Sequence, residues 1–115
     1  MKLPNVEQLV VEREKIIGYL LNVAHRYGTS KARFFGEFGF HTTNWEALAQ
    51  ALREHGQRYD VTRVKETPFR PRYEVEGTLR TPDGRTPRVR TVWQLDGGEF
   101  APRLITAHPL EEIES

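Results

Sequence analysis

The sequence contains no cysteine, only one methionine and no long apolar run. Without cysteine, the chain cannot form a disulfide framework, a thiolate metal site or a cysteine nucleophile. No stretch approaches the roughly 20 apolar residues that a transmembrane helix needs, and the first residues lack the apolar core of a signal peptide. We therefore predict a cytoplasmic protein without a membrane segment.

Patterns that bind nucleotide cofactors or metals are also missing. No G-x-G-x-x-G follows a predicted strand, there is no Walker loop, and no His or carboxylate pair has metal-ligand spacing. The four histidines, His25, His41, His55 and His108, are scattered along the chain. We predict no cofactor and no metal, and we exclude oxidoreductases and kinases that depend on those motifs.

The residues that are present predict one globular domain spanning 1–115. Of the 115 residues, 37% are hydrophobic and 29% are charged, which is typical of a folded domain rather than a disordered chain. The pattern divides the domain into a helical half at 1–58, a sheet half at 61–109 and an acidic tail at 110–115. The net charge of +1 argues against a strong grip on long DNA.

Two of the three predicted helices lie before residue 40. Residues 12–22 carry apolar side chains at helical spacing, interrupted only by Gly18. After a polar loop, either Thr29 or Ser30 can cap a short helix that runs to about Phe38.

The third predicted helix has the clearest boundaries. Thr43 and Glu46 have the spacing of a capping box, the following apolar residues share one helical face, and Gly56 is a predicted stop.

The second half of the domain changes to strand periodicity. Alternating apolar residues predict four strands, at about 61–64, 73–79, 88–95 and 103–109. Asp83 and Gly84 are predicted to supply the positive φ angles of a hairpin turn. Such short connections allow only an antiparallel meander. The predicted fold class is α+β, with about three helices packed on one face of a roughly four-stranded sheet.

Positive charge collects where the second helix begins. Between positions 15 and 36 the cations Lys15, Arg26, Lys31 and Arg33 occur without a single acid. Lys31 falls in the first helical turn, where free N–H groups already favour anions, so it and Arg33 are candidates for binding phosphate. His25, in the preceding loop, is a candidate general acid or base. The alternative is an ordinary solvated helix surface and a loop histidine bonded to the backbone.

The last strand suggests a second group of polar residues. Thr106 and His108 share one face, and Thr91 and Arg103 can contribute to the same shallow platform. On the other interpretation, His108 lies at a fraying strand end next to Pro109.

Four sequence blocks resemble a known family of small bacterial proteins. The blocks are KLPN at the start, HRYGTSKARFF with the following NWE and ALREH, RYEVEGTL with PDGR and VRTVW, and PRLITAHP at the end. Together they resemble a domain family of unknown function associated with toxin–antitoxin operons and polymorphic toxins. That family pattern ends T-A-Y-P, so His108 stands where tyrosine is usual, and a histidine there can still exchange a proton near neutral pH.

The order of helices and strands is also similar to the barnase/EndoU/colicin/RelE-like ribonuclease fold, by analogy of pattern. This resemblance implies a metal-independent endoribonuclease toxin that cleaves RNA, with tRNA as one candidate, by attack of the 2′-hydroxyl. It implies catalytic roles for His25, Lys31 and His108. The implied substrate-binding residues are Arg33, Thr91, Arg103 and Thr106. A small cognate antitoxin or neighbour-encoded protein is the implied protein partner.

The rival hypothesis is a non-catalytic protein-binding module, such as an antitoxin, an immunity protein or an adaptor. The near balance of 17 Lys and Arg against 16 Asp and Glu favours this interpretation as much as the first.

Overall fold

The computed structural model describes residues 1–68 and 70–110. Apart from Leu110, the predicted acidic tail at 110–115 lies outside the described residues. Three helices precede a four-stranded antiparallel sheet, which confirms the predicted α+β class. Short 3-10 turns lie at Val6–Gln8 and Thr42–Asn44. The helices are α1 (Arg13–Lys15), which continues as a π-helical turn (Ile16–Leu20), α2 (Thr29–Glu37) and α3 (Trp45–Arg58). The strands are β1 (Val61–Lys65), β2 (Arg72–Thr78), β3 (Arg88–Gln94) and β4 (Arg103–Pro109).

The sheet is a meander with the order β1-β2-β3-β4. A bulge interrupts the last pair, because Val92 lies opposite Thr106 whereas Trp93 lies opposite Leu104. The extra residue, Ile105, changes which side chains of β4 share a face. Leu104 therefore joins the core, while Thr106 faces the opposite side of the sheet together with His108.

One face of the sheet carries the core. Helix α3 packs on β2 and β3, and the side chains of Leu48, Leu52, Val75 and Trp93 are fully buried between them. Gly56 is not the predicted stop, because α3 continues to Arg58. A β-carbon at position 56 would overlap the Trp93 ring, so this glycine allows the helix to approach the sheet closely.

The first predicted helix is shorter and less regular than its apolar spacing suggested. After three α-helical residues the chain forms the π-helical turn, in which the Leu21 N–H donates to the Ile16 carbonyl at 2.8 Å. Such turns insert one residue into a helix and often occur at functional sites. Here α1 and α2 lie beside β4, so Tyr19 of the π-helical turn reaches that edge of the sheet.

The predicted cap of α2 was wrong by one or two residues. Gly28 is the N-cap, without a side-chain cap, and Thr29 is already the first helical residue. Its hydroxyl lies 2.8 Å from the His25 carbonyl and 2.9 Å from the Val23 carbonyl. Thr29 thus ties the preceding loop to the helix instead of capping it.

The capping box predicted from Thr43 and Glu46 is not used either. Asn44 is the N-cap of α3, and its Oδ1 accepts a hydrogen bond of 2.6 Å from the His41 N–H. The entry into α3 is therefore set one turn earlier than the sequence pattern suggested.

The turn between β2 and β3 differs in one detail from its prediction. Only Gly84 has a positive φ, of 87°, whereas Asp83 does not. The Gly84 N–H donates to the Thr81 carbonyl at 3.1 Å, and the Asp83 carboxylate accepts hydrogen bonds from the Arg85 N–H and side chain. Those bonds to Arg85 lower the pKa of Asp83 to about 2.

Candidate functional site

Tyr19 is the centre of a polar cluster on the face of the sheet opposite the core. Its hydroxyl oxygen lies 3.1 Å from the Thr106 hydroxyl oxygen on β4. The π-helical turn brings Tyr19 to this position, and the β4 bulge sends Thr106 to the same side. Two backbone irregularities therefore create this contact, which regular helical and strand periodicities would not give.

His25 lies against Tyr19 and has a defined orientation. The two ring centroids are 4.9 Å apart, and the Tyr27 N–H donates to His25 Nδ1 at 3.0 Å. Because Nδ1 accepts this bond, the neutral imidazole carries its hydrogen on Nε2. His25 thus offers a ring N–H donor to a ligand in the cleft that it lines.

Two lysines approach the ring of Tyr19. The ammonium nitrogen of Lys15 is 5.5 Å from the ring centroid, and that of Lys31 is 5.6 Å from it. At these distances each ammonium is attracted to the aromatic ring. Both charges are also placed to attract an anion that approaches the Tyr19 hydroxyl.

His108 extends the cluster along β4. It lies two residues beyond Thr106 on the same face and opposite Arg90 of β3. Burial lowers the pKa of His108, and the positive charges of Lys31 and Arg90 lower it further, against a smaller opposing effect of Glu74. His108 is therefore kept neutral near pH 7 and able to accept a proton.

The cluster opens into a shallow cleft of about 460 Å³. A smaller cleft of about 250 Å³ adjoins it, sharing Lys15 and Tyr19 and adding Glu12, Glu14 and Arg103. The larger cleft is lined by Lys15, Tyr19, His25, Tyr27, Arg72, Ile105 and Thr106. It has cations and hydrogen-bond donors on its walls and no carboxylate among its lining residues, which suits an anionic ligand.

Arg103 is engaged by acidic neighbours. Its Nε donates to Asp96 at 2.8 Å, and its Nη1 is 3.9 Å from Glu12. The paired charge leaves Arg103 at the edge of the smaller cleft rather than among the cations of the larger one.

The structure places two other predicted substrate-binding residues outside the cleft. Arg33 is exposed, and at 100° per residue it lies about 200° around α2 from Lys31. Thr91 faces the core, where it is fully buried. Its hydroxyl accepts from Trp93 Nε1 at 2.8 Å and lies 3.0 Å from His55 Nδ1. A hydroxyl so enclosed does not reach a ligand, because strand alternation put Thr91 on the opposite face from Thr106.

Tyr19, Lys15, Tyr27 and Arg72 belong to the cleft, although none was a sequence candidate. Tyr19 fell outside the apolar stripe of the first helix, and this was the only sign that it was not a core residue. Arg72 comes from β2, which is separated from β4 by β3, and nothing in its local pattern indicated that it would line the cleft.

Among the described residues, no group of three or more His, Asp or Glu side chains lies close enough together to hold a metal ion. Nor does the described part of the chain contain a helix with the length and apolar character needed to cross a membrane.

These features define a class of protein: a small α+β domain with helices first, a four-stranded antiparallel meander second, and a cationic cleft beside the last strand. The chain belongs to the DUF6883 family, a domain of unknown function that matches residues 2–111. That membership agrees with the resemblance to a family of unknown function found in the sequence.

A solved structure with the same fold comes from a contact-dependent growth inhibition toxin–immunity protein complex of Klebsiella pneumoniae 342. The TM-score is 0.69 at 14% sequence identity, over 93% of this chain and 97% of the other. At this identity the likeness concerns the fold. A search of curated proteins found no match.

Proposed function

We propose that this chain is a metal-independent endoribonuclease of the toxin type, which cleaves RNA by attack of a 2′-hydroxyl on the adjacent phosphate. The observation that carries the proposal is that Tyr19, His25 and Thr106 line one cationic cleft. Lys31 and His108 are not among its lining residues, but the Lys31 ammonium lies 5.6 Å from the Tyr19 ring centroid and its charge acts on His108, two residues beyond Thr106 on the same face of β4. A scissile phosphate needs a proton acceptor, a proton donor and positive charge, and these side chains include all three.

His108 is the proposed general base. Its lowered pKa keeps the imidazole neutral near pH 7, so that it can remove the proton from the 2′-hydroxyl. The 2′-oxygen then forms a bond to phosphorus while the bond from phosphorus to the 5′-oxygen breaks. The products are a 2′,3′-cyclic phosphate and a free 5′-hydroxyl, with no net uptake or release of protons.

Tyr19 is the proposed proton donor to the departing 5′-oxygen. Its hydroxyl oxygen lies 3.1 Å from the Thr106 hydroxyl oxygen, and in the proposed arrangement Thr106 donates this bond, which leaves the Tyr19 O–H for the departing oxygen. The phenolate left behind would be stabilised by the ammonium groups of Lys15 and Lys31, which lie 5.5 and 5.6 Å from the ring centroid.

The phosphoryl oxygens are proposed to be held by Lys31 and by the outward Nε2–H of His25. The bond from the Tyr27 N–H to Nδ1 sets that tautomer, so we assign His25 to charge stabilisation rather than to proton transfer. Arg72, an exposed residue that lines the cleft, is proposed to contact a neighbouring phosphate. Arg33, Thr91 and Arg103 have no role in this arrangement.

The experiment is cleavage of single-stranded RNA by the purified chain in the presence of EDTA. We expect products ending in 2′,3′-cyclic phosphate, and no cleavage of the same oligonucleotide with a 2′-deoxy sugar at the cut site. His108→Gln and Tyr19→Phe should each lower the rate by about 100-fold or more. The control His41→Gln changes an exposed histidine on another part of the surface and should keep the full rate.

The proposal fails if the chain cuts neither total RNA nor tRNA and cells that produce it alone grow normally. The second candidate, a protein-binding module such as an immunity protein, then becomes the better explanation. One observation favours it: an open groove of about 440 Å³ beside α3, whose walls include Phe40, Ala47, Ala51 and Pro82. Likeness to a chain from a toxin–immunity protein complex supports a toxin system for either candidate.

A further inference from the structure

Tyr27 is a solvent-exposed aromatic residue. It lines the cleft, yet it is 68% exposed, and Val23 in the same loop is 65% exposed. Phe34, Phe35 and other aromatic residues nearby pack with the core. An exposed tyrosine at the edge of a cationic cleft is a common means of binding an unpaired nucleobase.

The loop that carries Tyr27 is held in one conformation by its own hydrogen bonds. The Ala24 N–H donates to Asn22 Oδ1 at 2.9 Å, and the His25 carbonyl accepts from the Gly28 and Thr29 N–H groups at 3.1 and 3.2 Å. The Tyr27 N–H is used by His25. The exposed ring is therefore presented on an ordered backbone, which lowers the entropy lost when a ligand stacks on it.

The Tyr27 ring is a neighbour of the residues proposed to act on the phosphate. Tyr27 lies 6.2 Å from His25, measured between ring centroids, and His25 lies 4.9 Å from Tyr19. A base on Tyr27 and a phosphate near Tyr19 would therefore both lie next to His25. The guanidinium of Arg26, 5.4 Å from the Tyr27 ring centroid, supplies a second planar group beside the base.

We propose that Tyr27 is a base-stacking subsite, and that the cleft takes single-stranded RNA with one unpaired base stacked on this ring. The inference rests on the proposed function, because the phosphate it places is the scissile one. Stacking on Tyr27 requires a base that is free of its own helical neighbours. Double-stranded RNA, whose bases stay stacked inside the helix, is therefore excluded from the productive position.

Binding can be measured without cleavage. The probe is a short oligonucleotide with 2-aminopurine beside a 2′-deoxy sugar that cannot be cut, and the readouts are affinity and the quenching of 2-aminopurine fluorescence by stacking. We expect quenching with the wild-type chain and with Tyr27→Phe. For Tyr27→Ser, we expect about tenfold weaker binding with little quenching. The control Phe100→Ser removes another aromatic residue, 62% exposed, and should bind like the wild-type chain.

Two results would overturn the subsite: wild-type affinity and quenching in Tyr27→Ser, or equal binding of the probe when it is annealed to its complement. If the Tyr27→Ser variant no longer bound a partner protein but still bound the oligonucleotide like the wild-type chain, the ring would belong to a protein interface and the proposal would be wrong. A chain that binds the probe through Tyr27 but cleaves no RNA would contradict the proposed function and leave the stacking site standing.

Discussion

On one face of the sheet, the Thr91 hydroxyl lies between His55 and Trp93 and is fully buried. On the other face, the Thr106 hydroxyl lies against Tyr19 in the wall of an open cleft. The two threonines belong to neighbouring strands and both meet aromatic side chains through hydrogen bonds. Their surroundings differ in one respect, which is access to water, and that difference separates a structural group from one that can act on a ligand.

In the buried network of His55, Thr91 and Trp93, the polar side-chain atoms satisfy their hydrogen bonds with other protein groups. His55 Nε2 lies 3.1 Å from the Val89 carbonyl and 3.2 Å from the Gly77 carbonyl, so it must carry the hydrogen. The Thr91 hydroxyl then donates to Nδ1 and accepts from the Trp93 N–H. Every polar atom has its partner, and no donor or acceptor is left for a ligand. In the cleft, by contrast, His25 uses Nδ1 to accept from the Tyr27 N–H, and within residues 1–68 and 70–110 no hydrogen bond to its Nε2 is found.

The largest expected effect comes from breaking the buried network. Thr91→Val keeps the shape of the side chain but leaves both His55 Nδ1 and Trp93 Nε1 without a partner in the core. We expect the free energy of unfolding to fall by about 2–4 kcal/mol, since each unsatisfied buried group costs roughly 1–3 kcal/mol. Urea unfolding measures this. Thr62→Val, at an exposed site on β1, is the control, and equal midpoints for the two variants would contradict the account.

The next largest effect is expected from a substitution at Gly28, where the start of α2 contacts the π-helical turn. A β-carbon at Gly28 would overlap the carbonyl oxygen and ring of Tyr19. We expect Gly28→Ala to lower stability by about 1–3 kcal/mol and to lower cleavage further by displacing Tyr19.

Gly36 offers a matched control in the same helix, since a β-carbon there would have nothing within 4 Å. Gly36→Ala should raise stability by about 0.5–1 kcal/mol, as expected inside a helix. If both variants gain stability, the proposed close contact at Gly28 is absent.

A smaller effect on the free energy of unfolding is expected when the pH is lowered. Burial lowers the pKa of His55, against the opposing effect of its backbone hydrogen bonds, and the pKa of His108 is lowered as well. In the unfolded chain these histidines bind protons near the ordinary pKa of 6.5, whereas in the folded chain they bind them only at lower pH. Stability should therefore be highest above that pH and decrease as the pH falls below it.

The slope should reach at most about 1.4 kcal/mol per pH unit for each histidine. Urea unfolding at pH about 7.5 and about 5.5 gives the difference, and His108→Gln should remove one part of it while His55 keeps the other. Stability that stays constant or increases on acidification would show that neither histidine is held neutral.

The difference between the faces also explains what could be predicted from the sequence. Strand alternation and apolar spacing gave the order of elements and the pairing of Thr106 with His108 on one face. They failed at the π-helical turn and at the β4 bulge, because an inserted residue is favoured by tertiary packing and leaves no local pattern. The cleft depends on both insertions. His25 and Lys31 could be predicted as candidates from their own residue types and positions. Tyr19, whose ring contacts both, could not, because its position depends on the π-helical turn.

The smallest effect on stability should come from Thr106→Val, the counterpart of Thr91→Val on the open face. Tyr19 then loses its partner, but its hydroxyl can turn to water, so unfolding should change by less than about 1 kcal/mol. Under the proposed function, the misdirected proton donor should lower RNA cleavage by roughly 5–10-fold. Thr91→Val should show the reverse: a large loss of stability with an unchanged rate per folded molecule. Equal destabilisation by the two variants would make the Tyr19–Thr106 contact structural, and the functional distinction between the faces would be lost.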